Sequence, residues 1–478
     1  MSRNNLNGLI PASICNLSNL NTMYIYENQL SDNIPLEIGK LKSLVDLQMG
    51  INNLSGPIPA SICNLGQLTT LDLSDNKLSG NIPLKLGRLK SLTSLYLYTN
   101  YLIGQVFVSL CNLTNLRNLS ISENHFSGII PPDIGRLQSL TELEISTNSF
   151  HGRIPISLGN LSNLNSLILV GNQLSGPIPR KIGWLRFLTR LILSANNLTG
   201  SIPTSLCNLR NLNTLYLYEN QLSGSIPEEI GKLNSLMDIE LSINYLTGPI
   251  PSSICNLSKL NILYLHKNQL TGAIPLGIAR LGSLSDFRIQ KNNLIGPIPS
   301  CLCNSTVGML QHLYLFENQL TGPIPKQLGE CSNLLELDLS RNSLNGSIPL
   351  EIGGLISIQI KLDLSQNELT GEIPSDFGKL NKLEKLNLSH NKLSGSIPPS
   401  FVEMLSLTTV DISYNQLSGP IPNIKAFKDA PFHALKNNSG LCGNHSGGIK
   451  PCNSSVIIGR KKAKPRLAVI ILVPLFGS

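Results

Sequence analysis

A solenoid of short stacked coils, with one parallel β-sheet along its length, is the fold class this sequence predicts. Three observations predict it. An asparagine returns every 24 residues from Asn4 to Asn292, then resumes after small slips at Asn318, Asn342, Asn367, Asn391 and Asn415. Each asparagine ends the same phrase, as in Leu68-Thr-Thr-Leu71-Asp-Leu73-Ser-Asp-Asn76. A second phrase follows it, as in Leu78-Ser-Gly80-Asn-Ile82-Pro83-Leu-Lys-Leu86-Gly87-Arg-Leu89. The repeat runs through eighteen registers and overrides the several domains that 478 residues would otherwise suggest.

The first phrase is the L-x-x-L-x-L-x-x-N signature of a leucine-rich-repeat solenoid. Leu71 and Leu73 alternate with polar neighbours, the pattern of a short strand with one face buried. Leu78, Ile82, Leu86 and Leu89 are expected to turn inward from the other sides of the coil. One coil cannot bury them alone, so stacking creates the core. The asparagine amide has donors and an acceptor with which to satisfy backbone groups at the bend, coil after coil. Gly80 permits a conformation other residues resist, and Pro83 fixes φ and blocks continuation of a helix, leaving only short 3-10 or helical turns. At about 4.8 Å per strand the stack is roughly 80 Å long.

Composition excludes some partners. The formal charge is +8, of which Arg460, Lys461, Lys462, Lys464 and Arg466 supply five, so the repeats are about neutral. That leaves no basic stripe for nucleic acid. Six cysteines (Cys15, Cys63, Cys111, Cys207, Cys255 and Cys303) lie 48 or 96 residues apart, in alternate coils. Equivalent sites two coils apart are about 9.6 Å apart, too far for a disulfide, so these are expected as small, partly buried thiols. Cys301, Cys303 and Cys331 lie in neighbouring coils, but Cys331 holds a core leucine position, and free thiols are expected there too. Cys442 and Cys452 follow the last asparagine-bearing coil. A disulfide between them would hold a cover over the apolar end of the stack and implies an oxidising compartment. Glycosylation sequons occur at Asn16, Asn53, Asn112, Asn118, Asn160, Asn197, Asn256, Asn304, Asn345, Asn387, Asn437, Asn444 and Asn453.

The phrase Ser-Gly-x-Ile-Pro, as at Ser55-Gly56-Pro57-Ile58-Pro59 and Ser223-Gly224-Ser225-Ile226-Pro227, resembles the plant-specific class of leucine-rich repeats. The resemblance spans residues 3 to 422 and implies a second short strand on the convex side and a right-handed superhelix. Ordering, cap cysteines, basic stretch and apolar end together resemble the ectodomain of a plant leucine-rich-repeat receptor-like kinase. The alternation of Ser253-Ile-Cys-Asn-Leu257 with Glu229-Ile-Gly-Lys-Leu233 is similar to the male-discoverer-interacting group of those kinases. The expected organisation is repeats over 1–423, a C-terminal cap over 424–455, a basic juxtamembrane stretch over 456–466 and the start of a transmembrane helix over 467–478. A span needs about 20 apolar residues, and Leu467 to Phe476 supplies roughly half. The chain begins inside a repeat, at Ser2-Arg-Asn4, without the leader and Cys-bearing cap that such ectodomains carry, as a fragment would.

The resemblance implies a single-pass plasma-membrane receptor with its solenoid outside the cell. It would bind a secreted peptide or protein on the concave face, and a leucine-rich-repeat co-receptor kinase would dock around Asn391 to the cap. Outward strand positions, four and two residues before each asparagine, line that face. Many carry Asp-x-Ser, as at Asp72/Ser74, Asp338/Ser340, Asp363/Ser365 and Asp411/Ser413. Others carry aromatic pairs, and Tyr216, Tyr218, Tyr264, His266, Arg288, Tyr314 and Phe316 are the ligand-binding candidates. Tyr24/Tyr26 and Tyr96/Tyr98 are weaker candidates, since Tyr-x-Tyr recurs with the repeat and duplication alone could have copied it. Similar receptors grip a peptide carboxylate with Arg-x-Arg, and Arg288-Ile-Gln290 keeps only the first arginine. Trp184, among Arg180, Lys181 and Arg186, is expected to be an isolated surface aromatic packed on its neighbour. No kinase motif, metal spacing or C-x-x-C occurs, so neither catalysis nor a cofactor is expected of this chain, although its parent would be a Ser/Thr kinase. A kinase-less receptor-like protein, or a secreted inhibitor of a wall-degrading enzyme, would use the same face.

Overall fold

Coils from Thr22 onward open with a three-residue strand whose central apolar residue, most often leucine, points into the stack. In the computed structural model, which describes residues 1–303, 309–443 and 449–452, Leu71, Leu95 and Leu119 occupy this position and are essentially fully buried. Leu71 lies opposite Leu95, and Leu95 opposite Leu119, so every step advances one repeat in register. Among the described residues, seventeen such strands, from Thr22–Tyr24 to Thr409–Asp411, pair in chain order into one parallel sheet. The first pairs only with Asp46–Gln48 and the last only with Lys385–Asn387, so the sheet is open at both ends.

The turn after the strand is held by the asparagine. Asn76 Nδ2 donates to the carbonyls of Ser74 (2.9 Å), Leu73 (3.3 Å) and, in the preceding coil, Met49 (3.1 Å). Its Oδ1 accepts from the Leu54 amide at 2.9 Å. One side chain thus closes its own turn and ties it to its neighbour. The tight turn puts the preceding residue in the left-handed region at every register from Arg3 to Tyr414. Ile51 and Ile243 accept φ of 55° there, a conformation that β-branched residues resist. The residue type varies freely at this position, so nothing in the sequence marks it.

A second strand follows on the flank. These strands form a twelve-stranded sheet from Asn7–Leu9 to Gln269–Thr271, and a seven-stranded sheet from Ile295–Gly296 to Gly440–Cys442. Asn293 and Ile295 amides donate to Leu270 and Gly272 carbonyls (2.8 and 2.9 Å) across the gap. Gly80 lies in this strand at φ 75°, as its class of position requires. Pro83, by contrast, starts a helical turn rather than stopping one. Its carbonyl accepts from the Leu86 amide at 2.9 Å and opens the 3-10 segment Leu84–Arg88. The coil that has Phe107 where others have this proline forms an α-turn instead, Phe107–Leu110, and packs Phe107 against Phe150.

The apolar C-terminal end is covered in two steps. Phe401 stacks on Phe377, and Phe427, from the short helix Lys425–Lys428, packs on Phe401. The strand Gly440–Cys442 then extends the flank sheet beside Gln416–Pro420. Cys442 and Cys452 are bonded there, with Cα atoms 4.8 Å apart.

The expectation of free thiols near Cys331 is corrected. Cys303 and Cys331 form a disulfide with Cα atoms 5.3 Å apart. Equivalent sites two coils apart are indeed too distant, but these two occupy non-equivalent sites in adjacent coils, within bonding range. Cys15, Cys63, Cys111, Cys207 and Cys255 are free, as is Cys301. Burial pushes the Cys207 thiol up to about 11 and Cys111 up to about 12, which leaves both in the unreactive thiol form.

Candidate functional site

Strand alternation places not two but three outward residues per coil on the concave face, because positions six, four and two before the asparagine share one side. The first of these was overlooked in the sequence, and it supplies the acids that organise the candidate residues. Period two was the signal that could have found them.

Tyr264, Arg288 and Tyr314 occupy the same row in three successive coils. The Arg288 guanidinium lies 4.6 Å from the Tyr264 ring centroid and 4.9 Å from that of Tyr314, sandwiched between two π-faces. It also donates through Nε and Nη2 to the two carboxylate oxygens of Asp286, each at 2.7 Å. The Tyr264 hydroxyl donates to Asp286 Oδ2 at 2.7 Å, and the Tyr314 hydroxyl donates to Glu336. Arg288 is therefore paired with Asp286 through two of its five N–H donors. Burial, and then these bonds, push both tyrosine hydroxyls above the ordinary phenol range. Asp286 holds Arg288 well into its charged form.

His266 sits beside Tyr264, ring centroids 6.0 Å apart, with a buried Nδ1 that has no hydrogen-bond partner among the described residues. Burial, then the charges of Arg288 and Lys267, lower its pKa to about 4, so the ring is neutral at physiological pH. Gln290 is buried, and its Oε1 is likewise unpartnered. Phe316 lies edge-on to Tyr314, with Lys291 Nζ 6.0 Å from its centroid. Tyr216 and Tyr218 pair at 6.3 Å two coils N-terminal of Tyr264, half-buried, with burial raising both hydroxyls. All seven candidates thus lie on one concave stretch, from Tyr216 to Phe316. Trp184 lies apart from it, 61 % exposed, with Lys181 Nζ 5.2 Å from its ring.

The sequons divide by face. Asn16, Asn53, Asn112, Asn160, Asn197, Asn256, Asn345 and Asn437 are exposed, on the 3-10 segments, the flank strands and the cap. Asn118 and Asn387 are half-buried on the concave strands, their amides engaged with Ser94 and Asp363. Asn304, Asn444 and Asn453 lie outside the described residues, as do the basic stretch 456–466 and the apolar residues 467–478. Among the described residues no helix is long and apolar enough to cross a membrane, and no group of His, Cys, Asp or Glu is arranged to hold a metal ion.

The chain matches the leucine-rich repeat region model over residues 3–128 and further leucine-rich-repeat models at 139–161, 187–209, 211–233, 309–331, 333–355 and 360–417. No curated protein matches it. Among solved structures it resembles the plant peptide hormone receptor RGFR1 in complex with RGF2, at 36% identity and TM-score 0.77, covering 93% of this chain and 78% of that one. It also resembles the Arabidopsis receptor kinase HAESA, solved with the peptide hormone IDA and the co-receptor SERK1, at 35% identity and TM-score 0.70, covering 94% and 83%. A TDR receptor is 34% identical, with TM-score 0.69 and coverage of 93% and 88%. Continuous asparagine-held coils, and this level of identity over nearly the whole length, mean that the chain belongs to the plant leucine-rich-repeat receptor ectodomains.

Proposed function

We propose that the chain is the ligand-sensing ectodomain of a plant cell-surface receptor kinase, and that it binds a secreted peptide along the concave stretch from Tyr216 to Phe316. One observation carries this reading: half-buried aromatic rings cluster there, beside buried polar atoms of His266, Gln290 and His312 that lack a partner among the described residues, on a scaffold whose relatives were solved with peptide hormones. Stiff aromatic side chains offer large contact area at low entropic cost. The exposed sequons lie off the concave strands, so glycans would leave this face open. Outside the cell the bonded cap cysteines would persist. Residues 467–478 would begin a membrane helix and a kinase would follow, with a co-receptor docking between Asn391 and the cap. Membership of the male-discoverer-interacting group belongs to the same proposal.

Retention of a displayed library of random short peptides by the full chain tests the site. The double variant Tyr216→Ala/Tyr264→Ala is expected to lower retention about tenfold or more, with a melting transition that stays cooperative. Equal retention by parent and variant would remove these tyrosines from the site.

A further inference from the structure

The concave face repeats a three-part unit: a tyrosine, an acid 22 residues later, and a donor 24 residues later that satisfies the acid. In one instance Tyr24 donates to Asp46 Oδ2 at 2.8 Å, and Gln48 Nε2 donates to both Asp46 oxygens, at 3.1 and 3.3 Å. In another, Tyr264 and Arg288 together close Asp286. The donor comes from the chain itself in both.

Tyr216, Asp238 and Glu240 form the same unit with the donor replaced by a second carboxylate. Glu240 lies in register between Tyr216 and Tyr264, as Arg288 lies between Tyr264 and Tyr314. Neighbouring strands are about 4.8 Å apart, close to the 4.6 and 4.9 Å that Arg288 keeps from its two rings. Neither Asp238 nor Glu240 has an ion-pair partner among the described residues. Asn261 lies beside Asp238, and Ser242 beside Glu240, but burial outweighs both and raises the two carboxyls. Arg288, whose Nε and Nη2 are held by Asp286, acts on Glu240 through its charge and not through a hydrogen bond, and Glu219 adds a like charge. Glu240, half-buried between two aromatic rings, and Asp238, at the start of the same strand, thus stand without a cation paired to them among the described residues.

We propose that Tyr216, Asp238, Glu240 and Tyr264 form a seat for the guanidinium of an arginine side chain carried by the sensed peptide; this rests on the peptide-sensing reading above. The ligand arginine would stack between the two rings and donate to the two carboxylates, reproducing from outside what Arg288 does from within. A guanidinium fits better than an ammonium, because its planar fork serves two acids while its faces meet two rings.

Two synthetic libraries of random short peptides test the seat. One carries arginine at a fixed central position, the other citrulline, its uncharged isostere. The full chain is expected to retain the arginine set about tenfold over the citrulline set, a difference of ~1.4 kcal/mol. Glu240→Gln, nearly isosteric, should erase that ratio while melting like the parent. Asp411→Asn, on the same face far from the seat, should preserve it. Equal retention of both sets by the parent, or an unchanged ratio in Glu240→Gln, overturns the arginine seat and leaves peptide sensing standing. Retention of neither set takes down both.

Discussion

The concave strands from Asp338 to Ser413 and those from Tyr216 to Phe316 share one geometry but treat their outward polar groups in opposite ways. In the C-terminal group each acid or amide is closed by the serine two residues on. Ser340, Ser365, Ser389 and Ser413 donate their hydroxyls to Asp338, Asp363, Asn387 and Asp411 at 2.6 to 2.8 Å. Lys361 then bridges Asp338 and Asp363 at 2.7 and 3.1 Å. In the central group Arg288 is paired by its own strand, but among the described residues His266 Nδ1 and Gln290 Oε1 have no hydrogen-bond partner, and Asp238 and Glu240 no ion pair. The difference teaches that two runs of the same repeat diverge in how much of their outward hydrogen-bonding capacity the scaffold itself consumes.

That contrast can be broken at the scaffold first. Phe287 is fully buried beneath Arg288, and Phe287→Ala should cost about 3–5 kcal/mol in denaturant unfolding and abolish peptide retention with it. Arg288→Met leaves the nearly buried Asp286 unpaired and should cost about 2–3 kcal/mol, less than a fully buried pair because Arg288 remains partly exposed. Adding Asp286→Asn should restore most of the loss, and a double-mutant cycle measures the coupling.

The pH dependence of stability sharpens the comparison. His266 titrates near 4 when folded and near 6.5 when unfolded, so the unfolded chain binds the extra proton between those values. Its contribution is therefore complete above about pH 6.5 and is lost as pH falls towards 4, by at most ~2 kcal/mol allowing for partial exposure. His266→Gln should flatten that part of the stability curve, whereas Ser389→Ala should not alter its shape. Smallest of all, Ser340→Ala should cost no more than about 1 kcal/mol and leave peptide retention unchanged, as expected of a bond internal to the scaffold.

Most of the scaffold could be read directly from the chain. The asparagine ladder placed the strands, the buried leucines and the aromatic row, because each depends on a period that the residues display. What escaped depended on relations between coils. Asp238, Asp286 and Glu336 stand at the start of their strands, where acid looks like solvent-facing filler until the tyrosine 22 residues earlier is set beside it. Cys303 and Cys331 share no period, so their adjacency follows from how coils stack and not from spacing. The left-handed residue before each asparagine leaves no compositional trace, since the neighbouring bonds impose its conformation whatever its side chain.

The Cys303–Cys331 bond has a bearing on how such a stack comes apart. Repeat arrays lose structure by fraying from their ends, one unit at a time, because each coil is supported only by its neighbours. A covalent link between adjacent coils closes a loop of 28 residues and resists the advance of that unzipping front. It lies at the C-terminal border of the Tyr216–Phe316 stretch and spans the two-residue slip in the repeat. Fraying that begins at the cap would meet this rivet before it reached the tyrosines. Reduction should therefore widen the range over which the C-terminal coils exchange amide hydrogens, while the coils around Leu71 keep their protection.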